Sequence, residues 1–370
     1  MMTTRTRMRI TGTVQGVGFR PFVYRHAVAL GLAGFVRNDS QGVLIEVEGP
    51  PDRIAALEQV LHDEPPPLAR VTTVVAEPIV ALGEHDGFRI DETDDAGPPT
   101  APVSVDTATC SDCLAEVDDP TDRRHRYPFT NCTNCGPRYT IVQSVPYDRP
   151  ATTMAGFTMC ATCQREYDDP ADRRFHAQPN ACPECGPRLV LLAGNGAVRA
   201  EGDGALVEAV ADLRAGKVVA IKGIGGYHLA VDATDASAVA ELRRRKARDD
   251  KPFAVMVADL SAARELCVLD GVAAGALLSI GRPIVLAPRR AGAAVADAVA
   301  PGLPEIGLLL PYSPLHHLLL AGVGRPLVLT SGNVSDEPIA HDDDDAVERL
   351  GPMVDALLTH DRAIHIRCDD

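Results

Sequence analysis

The chain has 370 residues, 45% of them hydrophobic and 24% charged, with a formal net charge of −15. That length suits about two to four domains, and the acidic balance argues against a nucleic-acid binder, which carries a basic face. The basic N-terminus has no apolar segment behind it, and no run reaches the length of a membrane span, so a cytoplasmic protein is expected. Tryptophan is absent, so the cores must rest on Val, Leu, Ile and Ala.

Residues 9–14 alternate as a strand does. They feed Gln15-Gly16-Val17-Gly18-Phe19-Arg20 and then Pro21, which suits the start of a helix continuing over 22–30. A glycine-bearing loop at a helix N-terminus turns backbone N–H groups toward an anion, and a guanidinium can fork two phosphate oxygens. Glycine turns before helices are common, so this pattern alone leaves a plain structural turn open. Strands follow over 33–38 and 42–48, then a helix over 52–62 that Pro65-Pro66-Pro67 breaks, then strands over 71–76 and 87–90. The order βαββαβ predicts a ferredoxin-like sandwich over 1–91.

Two segments here, Gly12-x-Val14-Gln15-Gly16-Val17-Gly18-Phe19-Arg20 and Gly34-Phe35-Val36-Arg37-Asn38, resemble the signatures of the acylphosphatase family. The resemblance implies that Arg20 binds a phosphoryl group and that Asn38 orients the attacking water. In-line attack on an acyl phosphate needs charge stabilisation and a placed water rather than a covalent nucleophile. Without the resemblance, Asn38 reads as a residue of the 38–41 turn.

Residues 92–104 are acidic and proline-rich, and read as an exposed linker. Then come four Cys-x-x-Cys pairs within 105–192: Cys110/Cys113, Cys132/Cys135, Cys160/Cys163 and Cys182/Cys185. Eighteen residues separate the pairs within each half, and each cysteine of the first half recurs fifty residues later. The flanks repeat too: Cys135-Gly136-Pro137-Arg138 is echoed by Cys185-Gly186-Pro187-Arg188. Four thiolates in two close pairs suit tetrahedral zinc, so two structural zinc ions are expected. A disulfide framework fits poorly without a secretory signal, and a redox pair does not explain a doubled unit. The simplest grouping joins the first pair to the second and the third to the fourth; an interleaved one stays open. Few apolar residues lie between the cysteines, so metal must supply much of the folding free energy. His125 and His176 could compete as ligands. They hold unequal places in the repeat, and a surface or phosphate-contact role is preferred. Arg123, Arg124, Arg173 and Arg174 read as phosphate contacts or, more commonly, as a solvated face.

From about 200 to 370 the pattern changes. A helix over 206–215 stops at Gly216, and a buried strand over 218–222 runs into Gly223-Ile224-Gly225-Gly226-Tyr227-His228. This is no Walker loop, because Lys222 precedes the glycines. A helix over 238–246 ends in a basic cluster, 243–251, and strands are expected over 253–258, 283–287 and 326–330. Such alternation predicts a mixed α/β sheet. Cys267 reads as a small buried residue rather than a nucleophile. By composition the basic cluster is as well explained by a solvated helix face. However, Lys246-x-Arg248 with Ser331-Gly332-Asn333, and the segment 311–316, resemble YrdC-like nucleotide-binding domains. By that resemblance Lys222, Lys246, Arg248, Lys251, Ser331 and Asn333 form the candidate nucleotide- and carbamate-binding set.

The three parts in this order make a multidomain α+β chain, and together they resemble the HypF family of hydrogenase-maturation carbamoyltransferases. The resemblance implies that carbamoyl phosphate is cleaved at the first domain. Carbamate and ATP with Mg2+ then form carbamoyl-adenylate at the third, and the carbamoyl group passes to the C-terminal cysteine of HypE. Carbamate is short-lived in water, so linked, closed sites would limit its loss. The zinc segment is then expected to act as a rigid spacer between the two sites. One departure is that HypF proteins continue into a transferase domain beyond the point where this sequence stops. A fragment competent for hydrolysis and adenylation, but not for the transfer, is expected. Two other classes stay open: a threonylcarbamoyl-adenylate synthase of tRNA modification, and a non-enzymatic zinc-ribbon adaptor.

Overall fold

The computed structural model describes residues 3–83, 86–94, 100–334 and 337–368. It divides into two compact units, residues 1–106 with 131–185 and residues 107–130 with 186–370.

The first unit is built on β1 (Thr4–Thr13), α1 (Phe19–Ala29), β2 (Ala33–Asp39), β3 (Gly42–Gly49), α2 (Pro51–Asp63), β4 (Arg70–Ile79) and β5 (Phe88–Ile90). These strands form one sheet in the order β4-β1-β3-β2-β5. Met8 of β1 lies opposite Ile45 of β3 and Ala76 of β4, both antiparallel, while β5 runs parallel to β2. The period-2 pattern puts Met8, Ile10, Val36, Ile45 and Val47 on one face. That face buries against Phe22, Val23 and Ala27 of α1 and Leu57 and Leu61 of α2. Each such fully buried side chain stabilises the fold by about 1.5–3 kcal/mol relative to exposure. Helix α1 begins three residues before the expected 22, at Phe19. Gly18, with φ 74°, turns the chain straight into the helix, and its carbonyl accepts from the Phe22 N–H at 3.1 Å. A left-handed residue is easy for glycine and costly for a side chain with a Cβ.

The stretch read as an exposed linker is exposed only in part. Residues 95–99 lie outside the described residues, but Ala101 and Ser104 are buried. The N–H groups of Thr100 and Ala101 donate to the Ser40 carbonyl, and the Ser104 hydroxyl donates to that of Gln15. Buried backbone polar groups need such partners, and composition does not show where they will be found.

The cysteine repeat contributes two matching short helices, α3 (Ser111–Asp118) and α4 (Ala161–Asp168), each starting directly after the first cysteine of its half.

The second unit continues with β6 (Leu189–Ala193), β7 (Val198–Glu201), α5 (Gly202–Arg214), β8 (Val219–Lys222), β9 (Tyr227–Asp232), α6 (Ala236–Lys246), β10 (Ala254–Met256), α7 (Leu260–Leu266) and α8 (Gly271–Leu278). After these come β11 (Val285–Pro288), β12 (Glu305–Leu309), α9 (Pro314–Val323), β13 (Leu327–Ser331), α10 (Asp343–Leu350) and β14 (Ala356–His360). Nine strands among the described residues form one mixed sheet, β11-β12-β10-β13-β9-β8-β14-β6-β7. The pairs β10/β12 and β8/β14 are parallel and the others antiparallel. Val231, Val255, Leu308, Val328 and Leu357 of the sheet share a core with Val239 and Leu242 of α6. Ala205, Leu206, Ala209 and Leu213 supply the buried stripe of α5, which starts four residues before the expected 206. Helix α6 stops where Ala247 takes a left-handed conformation, φ 48°, which aims the next turn at the candidate site. Among the described residues no helix is long and apolar enough to cross a membrane.

Candidate functional site

In the first unit, the loop from β1 to α1 builds a pocket. Gly16 and Gly18 both have positive φ, 71° and 74°, so successive N–H groups are free to turn toward one side. Gln15 locks the loop: its Nε2 donates to the carbonyls of Asp39 and Gly42 at 2.8 Å each, and its Oε1 accepts from the Tyr147 N–H at 2.9 Å. Arg20 and Asn38 line this same pocket and are 8% and 1% exposed. Two residues 18 positions apart in sequence thus share one concavity. The Arg20 guanidinium is already partnered: Nη2 donates to Asp148 Oδ1 at 2.7 Å and Nη1 to Thr93 Oγ1 at 3.3 Å. The Thr93 hydroxyl in turn donates to Asp148. Asn38 Nδ2 is buried without a hydrogen-bond partner among the described residues.

The far wall of the pocket comes from the cysteine segment: Thr133, Arg138, Tyr147, His176, Ala177, Gln178 and Pro179. His176 thus lines the pocket and is partly buried. Burial, aided by the nearby Arg20 charge, lowers its pKa to about 4, so the ring is neutral at pH 7. The cysteine segment also corrects a sequence expectation. Arg124 and Arg174 are not a solvated face; both are buried, and Arg174 Nε donates to the Asn131 carbonyl at 3.1 Å. Tyr147 and Asp148 went unnoticed in the sequence, and Arg138 was read there only as part of the repeat. Tyr147 and Asp148 lie in 139–159, the stretch between the two repeat units, and that lack of a repeat counterpart was the available signal.

The eight cysteines group as the simplest reading expected, Cys110, Cys113, Cys132 and Cys135 in one set and Cys160, Cys163, Cys182 and Cys185 in the other. Within the second set, Sγ separations are 3.8 Å for Cys160–Cys182, 3.7 Å for Cys182–Cys185 and 3.6 Å for Cys163–Cys185. Zn–S bonds of about 2.3 Å in a tetrahedron place the sulfurs about 3.8 Å apart. These distances fit a zinc ion and are far longer than a disulfide of about 2.05 Å. Among the described residues no cysteine is in a disulfide.

In the second unit, Lys246 at the end of α6 meets the loop after β13. Its Nζ donates to the carbonyls of Ser331 and Asn333, at 2.5 and 3.1 Å, and to Asn333 Oδ1 at 2.7 Å. Ser331 Oγ lies 2.9 Å from Asn333 Oδ1. Arg248 reaches the same strand, donating to Thr330 Oγ1 at 3.2 Å, with its guanidinium 5.1 Å from the Phe253 ring centre. Lys246, Arg248, Ser331 and Asn333 are thus brought together. Lys222 is placed in another cluster. It is buried against Asp343 Oδ1 at 2.6 Å and the His360 carbonyl at 2.9 Å, beside the Tyr227 hydroxyl. Burial lowers its pKa, with Asp343 opposing. Lys251 is exposed, and its carbonyl accepts from Arg243 and Arg248. The basic cluster is therefore mixed in role: Arg244 is solvated beside Glu241, whereas Arg243 ties down the carbonyls of Ala298 and Val299. Cys267 is fully buried, and burial pushes its thiol up to about 11, which suits packing and not nucleophilic attack.

Three family patterns match this chain: acylphosphatase over residues 6–90, the HypF finger over 109–142 and 159–192, and the telomere recombination family of Sua5, YciO and YrdC over 211–370. These matches define a class of multidomain protein that joins an acylphosphatase-type domain, two four-cysteine fingers and a YrdC-type domain. The chain is 51% identical over 385 aligned residues to the carbamoyltransferase HypF2 of Cupriavidus necator, covering all of this chain and 48% of that protein. A crystal structure of full-length HypF in a phosphate- and nucleotide-bound form matches it with a TM-score of 0.95 at 44% identity, again over 100% of this chain and 48% of that one. Its first domain is 47% identical over 88 residues to an acylphosphatase of Caldivirga maquilingensis, covering 92% of that protein. The chain belongs to the HypF carbamoyltransferase family, and it spans about half the length of the curated relatives it matches.

Proposed function

We propose that the chain carries the first two reactions of HypF-type carbamoyl transfer, in the cytoplasm. At the first pocket, water attacks the phosphorus of carbamoyl phosphate in line, the P–O bond to the carbamoyl group breaks, and carbamate leaves. Arg20 and the loop N–H groups hold the phosphoryl oxygens and match the charge that develops on them. Asn38 orients the water, which supplies the proton and the new oxygen of inorganic phosphate. In the second unit, Lys246 and Arg248 hold the phosphates of Mg2+-bound ATP and the carbamate. A carbamate oxygen attacks the α-phosphorus, and carbamoyl-adenylate and pyrophosphate result. Ser331 and Asn333 line the nucleotide side, and Lys251 adds a cation beside Arg248. The whole protein then passes the carbamoyl group to the C-terminal thiol of HypE with release of AMP, on the route to the cyanide ligands of nickel–iron hydrogenase.

The observation that supports this reading best is the shared pocket of Arg20 and Asn38 on a positive-φ glycine loop. ATP–pyrophosphate exchange tests it on the zinc-loaded chain, with carbamoyl phosphate and, separately, with threonine plus bicarbonate. Exchange only with the first is expected. Exchange only with the second would identify a threonylcarbamoyl-adenylate synthase, and exchange with neither would favour an adaptor. Arg20→Ala should abolish phosphate release from carbamoyl phosphate, a loss of at least about a hundredfold by the scale of lost oxyanion contacts; normal release would remove the assignment.

A further inference from the structure

The Arg20 pocket has two walls of different origin. One is the loop and strand end of the acylphosphatase-type fold, which the family match ends at residue 90. The other comes from the cysteine segment. A stand-alone acylphosphatase such as that of Caldivirga maquilingensis, matched over 92% of its length by the first domain, has no such segment to supply it.

That second wall is fixed in place and polar. Tyr147 lies on Gly16, where a Cβ would sit 3.2 Å from its ring, and its N–H is held by Gln15. Arg138 Nε donates to the Gly16 carbonyl at 2.5 Å. Yet the Tyr147 hydroxyl, on a residue only 4% exposed, has no hydrogen-bond partner among the described residues, and neither has His176 Nδ1. Unmatched buried polar atoms are costly and uncommon. Here two of them, with Asn38 Nδ2, line one pocket.

We propose that Tyr147 and His176 are specificity-determining residues that read the amide end of carbamoyl phosphate. The inference rests on the reading of this pocket as a carbamoyl phosphate site. The phosphoryl end belongs to the loop and Arg20. The other end is a planar amide, with one carbonyl acceptor and one NH2 donor group. A phenol hydroxyl donates to the carbonyl, and the unprotonated nitrogen of a neutral imidazole accepts from NH2. His176 is held in that neutral form, its pKa lowered to about 4 by burial and Arg20. Acetyl phosphate presents a methyl group where the NH2 should be and leaves the imidazole unmatched. A site built to hydrogen-bond a substrate group rejects the analogue that lacks it far better than an apolar site does. The repeat supports the assignment. Arg126 occupies the equivalent place with the same backbone, φ 57° against 55° for His176, so the backbone of this position is inherited and the side chain is what differs.

The test compares phosphate release from carbamoyl phosphate and acetyl phosphate by the full zinc-loaded chain. Tyr147→Phe and His176→Gly, which suits the left-handed backbone, should each lower the carbamoyl-to-acetyl ratio of kcat/KM about tenfold. The change should fall mainly on KM for carbamoyl phosphate. His176→Asn keeps an acceptor near Nδ1 and tolerates the same backbone, so it should recover part of the ratio. Zinc content and melting temperature verify folding, and the isosteric Tyr147→Phe stands if the glycine variant does not fold. Ratios within twofold of wild type in the folded variants would overturn the inference while leaving the pocket's activity in place. Wild-type protein that releases phosphate from neither acyl phosphate would overturn both.

Discussion

The two halves of the cysteine repeat keep one spacing and do different work. Each ends in Cys-Gly-Pro-Arg, and each terminal arginine gives its backbone N–H to an aspartate, Arg138 to Asp106 at 2.5 Å and Arg188 to Asp361 at 2.8 Å. Beyond that they part. The Arg138 side chain is buried and donates to the carbonyls of Gly16, Cys132 and Thr133. Arg188 is exposed. Likewise Arg126 forms an exposed ion pair with Asp203 at 2.7 Å, while His176 lines the pocket. What zinc demands is four sulfurs at tetrahedral separations, and only the cysteines and their turns serve that demand. The remaining positions of a duplicated unit are then free to take on separate duties.

The largest expected effect tests what the halves share. Cys163→Ala should remove one of two bound zinc ions and unfold the second half, because structural zinc supplies about 10 kcal/mol or more of folding free energy in such small modules. Atomic absorption and thermal melting read it directly, and retention of two zinc ions would contradict the grouping. A smaller effect tests where the halves differ. Arg138→Ala, which leaves buried carbonyls unmatched, should cost about 2–4 kcal/mol. Arg188→Ala, at a surface position, should stay within about 0.5 kcal/mol. Denaturant unfolding of the two variants would break the contrast if they came out equal. The smallest effect concerns pH. His176 ionises near 4 in the folded protein and near the ordinary value of about 6.5 when unfolded. The unfolded chain therefore binds the proton first. The stability that the neutral ring contributes is complete above about pH 6.5 and is lost as pH falls toward 4. His176→Asn should thus show a smaller drop in melting temperature from pH 6.5 to 4.5 than the parent, and an identical drop would show that the ring is not buried neutral.

The doubled cysteine spacing is a local signal, and it foretold the grouping; the short helices behind Cys110 and Cys160 were not read from it. Gln15 to Arg20 foretold a loop and helix start, since glycines and Pro21 act on their own neighbourhood. The role of Asn38 came from family resemblance, because composition alone made it a turn residue. Tyr147 and Asp148 were illegible: they reach Gln15 and Arg20 across more than a hundred residues, and no periodicity records such a meeting. The arginines at 124 and 174 were misleading for a related reason. Charge predicts solvation only until a chain supplies enough buried carbonyls to satisfy a guanidinium. Lys222 shows the limit of placing a residue by its motif neighbourhood, since Asp343 and His360, more than a hundred positions away, decide its surroundings.

The pair between Arg20 and Asp148 means that the resting pocket holds an ion pair and not a bare cation. A small monovalent anion that drifts in finds the guanidinium already matched and gains little by displacing a carboxylate. On the proposed reading, a phosphoryl group brings more charge and three oxygens for the loop N–H groups as well, so it would win the exchange. On that reading Asp148 stands ready to take its place when it departs, so the arginine need not wait for water to restore its partner.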